Sequence, residues 1–227
     1  MSFTFRLSVW ILAMSLTFIR PSLAQLQSVP NPPTSSEINN LVAALLSAAS
    51  EEEQERLLAQ KDKLIIISLL AALKEQIRPR FQKGDYAQVL RMLELMARLA
   101  ERIGDQASLI SAWENLSVFH LNQNRVAQAL DYLQKGLALF ESIGDKKEMA
   151  FALYNIGVTY KSQNNPDQAL QYFNRSLAVS EEIGNKSLIP TTLHHIGLIH
   201  RLQGRYELAL ESYRKSRELG EELNDPR

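Results

Sequence analysis

Chemistry needs particular side chains at particular spacings, and this chain of 227 residues offers few of them. It has no Cys, which removes disulfides, thiolate metal sites and cysteine nucleophiles. Its four His are His120, His194, His195 and His200. His194 and His195 are neighbours, so on a helix their rings point about 100° apart. His195 and His200 do not have the i, i+4 spacing that brings two imidazoles to one metal ion. The acidic run Glu51-Glu52-Glu53-Gln54-Glu55 follows Ser50, a good capping residue. Negative charge suits the first turn of a helix, so the run reads as a solvated helix start and not as an acid/base pair. No nucleophile elbow, Walker loop or dinucleotide fingerprint occurs. The Asn-x-Ser triplets at Asn115, Asn174 and Asn185 read as coincidence. No catalytic, cofactor-binding or metal-binding residue is therefore assigned. Lys and Arg total 25 against 25 Asp and Glu, without the basic excess of a nucleic-acid binder.

What remains is a pattern that repeats at an offset of 40 residues. Ile103-Gly104-Asp105 recurs as Ile143-Gly144-Asp145, as Ile183-Gly184-Asn185 and as Leu223-Asn224-Asp225. Ala129-Leu130 recurs as Ala169-Leu170 and Ala209-Leu210. Each unit predicts two helices. In the unit 143–182, Ala152, Leu153, Ile156, Gly157 and Tyr160 form one helical stripe. Asn164-Asn165-Pro166 ends that helix and opens the next, where Pro166 suits a first turn. Ala169, Leu170, Phe173, Ser176, Leu177 and Ala178 make the second stripe. Leu170 is expected in the core, in a column with Leu90, Leu130 and Leu210. Turns are expected at Asn122–Arg125, Gln163–Asn165 and Gln203–Arg205. Small residues at Ser117, Gly157 and Gly197, and again at Gly136, Ser176 and Ser216, are expected to let paired helices approach closely. His120 and His200 share a column with Tyr160 and read as packing residues.

These columns resemble the tetratricopeptide repeat, in its longer form of about 40 residues. The family's large residue, Leu, Gly and aromatic fall on Leu153, Ile156, Gly157 and Tyr160. Its Ala, aromatic and small residue fall on Ala169, Phe173 and Ser176. The family's Pro late in the second helix is absent, with Glu141, Glu181 and Glu221 in that position. The resemblance implies an all-α fold, a right-handed superhelical array of antiparallel helix pairs. It gives a degenerate first unit at 63–102, in which Ile77 and Pro79 disturb the first helix, and further units at 103–142, 143–182 and 183–222. A short start of another unit follows at 223–227.

The resemblance also implies a binding surface. In such arrays the first helices line the concave side and hold peptide or protein partners. The columns beside the core stripe are Glu114/Tyr154/His194, Asn115/Asn155/His195, Val118/Val158/Leu198 and Leu121/Lys161/Arg201. The candidate partner-binding residues are Glu114, Asn115, Tyr154, Asn155, Lys161, His194, His195 and Arg201. An Asn amide both donates and accepts, so it can grip a peptide backbone without reading its sequence. Lys161 and Arg201 favour an acidic segment or a terminal carboxylate.

The front of the chain reads as an address. Arg6 precedes the uncharged apolar run Leu7–Ile19, and Ser22-Leu23-Ala24 offers small residues before Gln25. This is the order of a cleaved secretory signal over 1–24. Its apolar run covers about 20 Å as helix, short of a membrane core, so no stable span is expected after cleavage. A Pro-rich linker over 25–36 and an acidic helical segment over 37–62 follow, the latter beginning near Glu37 under a Ser35 or Ser36 cap, with Leu41, Leu45, Leu46 and Ala49 as its apolar stripe. This order resembles the front of exported bacterial proteins that carry a caspase-like CHAT protease domain after such repeats. Two readings stay open. One is a non-enzymatic, exported interaction scaffold. The other is the regulatory or substrate-recruiting arm of a larger secreted enzyme, with this chain a fragment of it. Neither the partner's identity nor the oligomeric state is legible.

Overall fold

The computed structural model describes residues 33–224. The expected export signal at 1–24, most of the linker and residues 225–227 lie outside them. Ten helices and no strand occur among the described residues. The chain divides into two compact units, Met1–Leu116 and Ser117–Arg227.

The first unit holds α1 (Ser35–Ser47), α2 (Glu51–Leu58), α3 (Lys63–Gln82), α4 (Tyr86–Ile103) and the start of α5 (Gln106–Asn122). α1 begins earlier than expected, because Thr34 and not Ser35 or Ser36 caps it. The Thr34 hydroxyl accepts from the Glu37 N–H at 3.2 Å, and the Thr34 N–H donates to the Glu37 carboxylate at 2.8 Å. The buried stripe of α1 is Ile38, Val42, Leu45 and Leu46; Ala49 lies beyond the helix and is exposed. α3 runs through Pro79, and Ile77 is buried within it. α1 packs on α3 and α4, and α3 on α4, around Leu45, Leu69, Leu73, Met92 and Leu99.

The acidic run does more than start a helix. Ser50 caps α2 through the Glu53 N–H at 3.2 Å, as expected. In addition, Glu51 pairs with Arg98 at 3.2 Å and Glu55 pairs with Arg102, both on α4. Arg91 donates to the Leu46 carbonyl at 3.5 Å. A row of arginines on α4 thus holds α1 and α2 against the first helix pair. The sequence could not pair these charges, because the partners are more than forty residues apart.

The second unit holds the rest of α5, then α6 (Val126–Ile143), α7 (Lys146–Ser162), α8 (Pro166–Glu182), α9 (Leu188–Leu202) and α10 (Tyr206–Asn224). α7 pairs with α8 and α9 with α10, while α6 packs on α7 and α8 on α9. Left-handed residues punctuate the chain at 84, 104, 124, 144, 164, 184 and 204, twenty apart. Gly serves at five of them and Asn at Asn124 (φ 56°) and Asn164 (φ 55°), the residue type that tolerates this region best after Gly. After α6, the Asp145 N–H reaches the Phe140 carbonyl at 3.0 Å and the Gly144 N–H reaches Glu141 at 3.3 Å. These bonds satisfy carbonyls that the helix end leaves free.

Gly157 gives α8 room. A Cβ there would lie 2.8 Å from two ring atoms of Phe173, which is fully buried. Gly197 does the same for Tyr213 on α10, at 2.7 Å. The other small column works differently. Ser176 donates from its buried Oγ to the Ala150 carbonyl at 2.8 Å, and Ser216 to the Pro190 carbonyl at 2.7 Å. Those two positions are small and also tie second helix to first. Gly136, in the same column, meets only Phe140 at 3.9 Å, so close approach is not what it provides. The expected Leu170 core column is also corrected. Leu170 is only half-buried, Leu210 is 50% exposed and Ala178 is exposed. Ala169 and Phe173 face inward instead, since the true stripe runs 169, 173, 176, 180.

Candidate partner-binding surface

Of the eight candidate residues, Glu114 and Asn115 lie in the first unit and six in the second. Asn115 is half-buried and donates its amide to the Ser111 carbonyl of its own helix at 2.7 Å, which spends one donor locally. Asn155, its counterpart on α7, is exposed.

Three of the remaining residues meet at the joint between helix pairs. His195 on α9 stacks on Phe173 of α8 at 5.2 Å between ring centroids and 5° between planes. Tyr154 on α7 leans against both rings, at 5.5 Å from His195 and 5.7 Å from Phe173. Lys161 on α7 donates from Nζ to His195 Nδ1 at 2.9 Å. Burial lowers the His195 pKa, helped by the Lys161 charge and then by His194, down to about 4. The imidazole is therefore neutral near pH 7. With Nδ1 accepting, its proton sits on Nε2. Burial also holds the Lys161 ammonium below its ordinary pKa. Tyr154, Lys161 and His195 are thus joined to packing. Sequence spacing placed Lys161 and Arg201 in one column, and the structure divides their work, Lys161 being half-buried at the joint and Arg201 exposed.

His194 is exposed and rests against Tyr213 of α10 at 5.5 Å. With Leu198, Arg201, Ser216 and Arg217 these residues line an open cavity of about 550 Å³. The α10 contributions, Tyr213, Ser216 and Arg217, were not among the sequence candidates. One signal could have found them. Arg217 stands where the preceding repeat has the apolar Leu177.

The packing reading of His120 and His200 holds best for His120. It is buried and stacks on Tyr132 at 5.7 Å and 9°, as Tyr160 does on Tyr172 at 5.4 Å and 18°. Among the described residues no group of three His, Asp or Glu could hold a metal ion. No helix among them is long and apolar enough to cross a membrane.

Comparison with known proteins agrees with this geometry. Residues 108–182 match a tetratricopeptide repeat model, and residues 191–227 match a second model of the same repeat. A search of curated protein sequences finds no match. Aspartyl phosphate phosphatase F from Bacillus subtilis shares 20% identity at a TM-score of 0.63 over 77% of this chain and 45% of that one. The present chain thus spans less than half the length of that structure. A signal transduction ATPase with a tetratricopeptide repeat sensor from Pyrococcus horikoshii gives 0.62 at 16% identity, over 81% of this chain and 29% of that one. A putative kinesin light chain with nearly identical TPR-like repeats, from Podosopora anserina, gives 0.58 at 13% identity, over 83% and 95%. At such identities the likeness is one of fold. The chain carries tetratricopeptide repeats, and its architecture is the all-α array of antiparallel helix pairs that the sequence predicted.

Proposed function

We propose that this chain is a non-catalytic scaffold that holds a peptide or protein partner on the first-helix faces of its repeats. One observation carries the reading. On α7 and α9, Asn155, His194 and Arg201 stay polar and exposed, although their neighbours Ile156, Leu193 and Ile196 are buried. An exposed Asn flanked by packed residues is a rigidly mounted pair of hydrogen-bond groups, which suits an extended backbone with unpaired N–H and C=O. The partner class includes an acidic segment, since Arg201 makes no ion pair among the described residues. Capture of binding proteins from an exported fraction by the wild-type chain and by Asn155→Arg tests this. Loss of the captured set by a variant with an unchanged helical spectrum supports the reading. An identical set moves the binding face elsewhere.

The finer reading is that the repeats belong to the 40-residue class and serve an exported protein, with periplasmic or extracellular localisation. The charged, apolar and small-residue order of Met1–Ala24 supports export. The alternative role, as the recruiting arm of a larger enzyme with a CHAT protease domain, rests on the order of signal, Pro-rich tether and repeats. Reading the coding sequence past Arg227 decides between the two roles.

A further inference from the structure

The helices α1 and α2 cover the first unit in two different ways. α1 is seated by apolar side chains, with Ile38, Val42, Leu45 and Leu46 all buried. α2 buries only Leu58. Its backbone packs closely on no other helix among the described residues, and polar side chains hold it. Arg98 pairs with Glu51 at 3.2 Å and donates to Gln54 Oε1. Arg102 pairs with Glu55 and donates to the Leu58 carbonyl at 3.4 Å. Gln54 in turn donates to the Leu45 carbonyl at 2.7 Å, at the end of α1. The pairs are open to water, Glu51 being 83% exposed and Glu55 59%. Exposed ion pairs hold weakly, and salt screens them. Glu94, one turn before Arg98, is drawn to the same guanidinium and repelled by Glu51. Non-helical joints at 48–50 and 59–62 flank α2. It is therefore free to lift while α1 and α3 stay packed.

What α2 lies on departs from the repeat. Arg91, Leu95, Arg98 and Arg102 form one stripe along α4, at i, i+4, i+7 and i+11. One repeat on, the same positions of α6 read Asp131, Lys135, Ala138 and Ser142. Two repeats on, α8 reads Gln171, Arg175, Ala178 and Glu182. All of these are exposed, so those helix pairs fold with the stripe in water. Leu95 is instead only 1% exposed. It sits between Arg91, which bonds the Leu46 carbonyl, and Arg98, which bonds α2. The chain therefore runs over an apolar residue flanked by three guanidinium groups. A helix pair does not need such a stripe to fold, but an acidic amphipathic helix needs one to dock. Guanidinium forks take its carboxylates, and Leu95 takes an apolar side chain. We propose that α2 is a releasable strap over a docking face on α4, and that an acidic helix of a partner protein displaces it. The strap supplies the pattern such a helix must present: carboxylates at 51 and 55, an amide at 54 and Leu at 58. This face lies on a second helix of the first unit and draws on none of Asn155, His194 and Arg201.

The probe is a labelled synthetic peptide of residues 49–62, with a control peptide carrying Glu51→Gln and Glu55→Gln. Binding to the full chain is read by fluorescence anisotropy. The variant Glu51→Lys/Glu55→Lys, checked for unchanged helix content, unlatches the strap. It is expected to bind the acidic peptide about tenfold or more tightly than wild type does, because an internal competitor is gone. Adding Arg98→Glu/Arg102→Glu to it should abolish that binding. Opening is read separately with a thiol. The chain has no Cys, so Leu95→Cys carries the only one. Its labelling is expected to be about tenfold or more faster at high salt than at low salt. Leu93→Cys, at a position 2% exposed on the same helix, should stay protected in both. Hydrogen exchange over 51–58 in the unsubstituted chain gives the same reading without a thiol. An unlatched variant that takes the acidic peptide no better than wild type, or takes the Gln control equally well, overturns the proposal. So do labelling and exchange that ignore salt, or a Leu93→Cys thiol that speeds up alike. A concentration-dependent dimer that the peptide dissociates makes a second copy the occupant and likewise overturns it. Asn155→Arg should leave peptide binding unchanged, so the two faces can fail separately.

Discussion

Gly136 and Gly157 are both mid-helix glycines in a small-residue column, and the structure predicts opposite outcomes for replacing them by Ala. In a helix interior Ala is favoured over Gly by about 1 kcal/mol. At Gly136 little opposes that gain, because the nearest atom to a new Cβ is Phe140 Cε2 at 3.9 Å, an ordinary contact. Gly136→Ala should therefore stabilise the chain by about 0.5–1 kcal/mol. At Gly157 the new Cβ meets three Phe173 ring atoms at 2.8, 2.8 and 3.1 Å. That ring is fully buried and stacked under His195, so it has nowhere to go. Overpacking of this kind costs about 1–3 kcal/mol, which cancels or exceeds the helix gain. Gly157→Ala should come out destabilised by up to about 2 kcal/mol once the two terms are combined. Urea unfolding followed by far-ultraviolet circular dichroism reads both variants on one scale. The double variant Gly157→Ala/Phe173→Leu isolates the clash. It should lose less than the two single changes together, because they share one contact. A Gly157→Ala midpoint above that of wild type refutes the reasoning, since it would mean that α7 and α8 are not pinned at this crossing.

Further outcomes follow from the same unit. Phe173→Ala should cost about 3–5 kcal/mol, and Leu170→Ala clearly less because Leu170 is only half-buried; equal losses in urea unfolding would contradict the assigned stripe. The folded His195 pKa, about 4, lies below the ordinary 6.5, so the unfolded chain binds the extra proton between those values. Stability should thus be full above pH 6.5 and fall as the pH drops toward 4, with His120 and His200 lowered in the same direction. His195→Asn should flatten that decline, and an unchanged profile would mean His195 titrates normally in the folded chain. N-terminal sequencing of the exported protein should begin at Gln25; a chain that keeps Met1 and stays with the cytosol overturns the export reading.

How much of this was legible depends on how far apart the interacting residues lie. The turns were readable because each is a local event. Asn164-Asn165-Pro166 carries its own left-handed residue, cap and first-turn Pro within three positions. The core was readable only to within one residue. Leu170 looks like core by composition, but on a helix a shift of one position turns a side chain by about 100°, and Ala169 has the inward place. The ion pairs that hold α2 to α4 were not readable. Acidic residues at 51–55 explain themselves as a helix start, so nothing in the sequence requires Arg98 and Arg102 to be their partners.

The candidate surface shows the same limit in a sharper form. A column in a repeat has the same address in every unit, but it does not have the same neighbours. Position 195 is drawn into packing by Phe173 and Lys161, whereas the unit before position 155 has Leu133 and Leu121 in those places. Position 155 occupies the identical column and is exposed. Periodicity therefore identifies which residues are equivalent in register, whereas function depends on which register positions are left uncovered. The informative comparison is between copies of one site. Where copies agree, as with Gly157 and Gly197 or Ser176 and Ser216, they report what the helix pair needs to fold. Where one copy departs, as with Leu177 and Arg217, folding has stopped dictating the residue. Leu177 packs against the core that α9 completes, whereas Arg217 is exposed and lines a cavity, and that makes Arg217 the first α10 residue to vary in any search for this chain's partner.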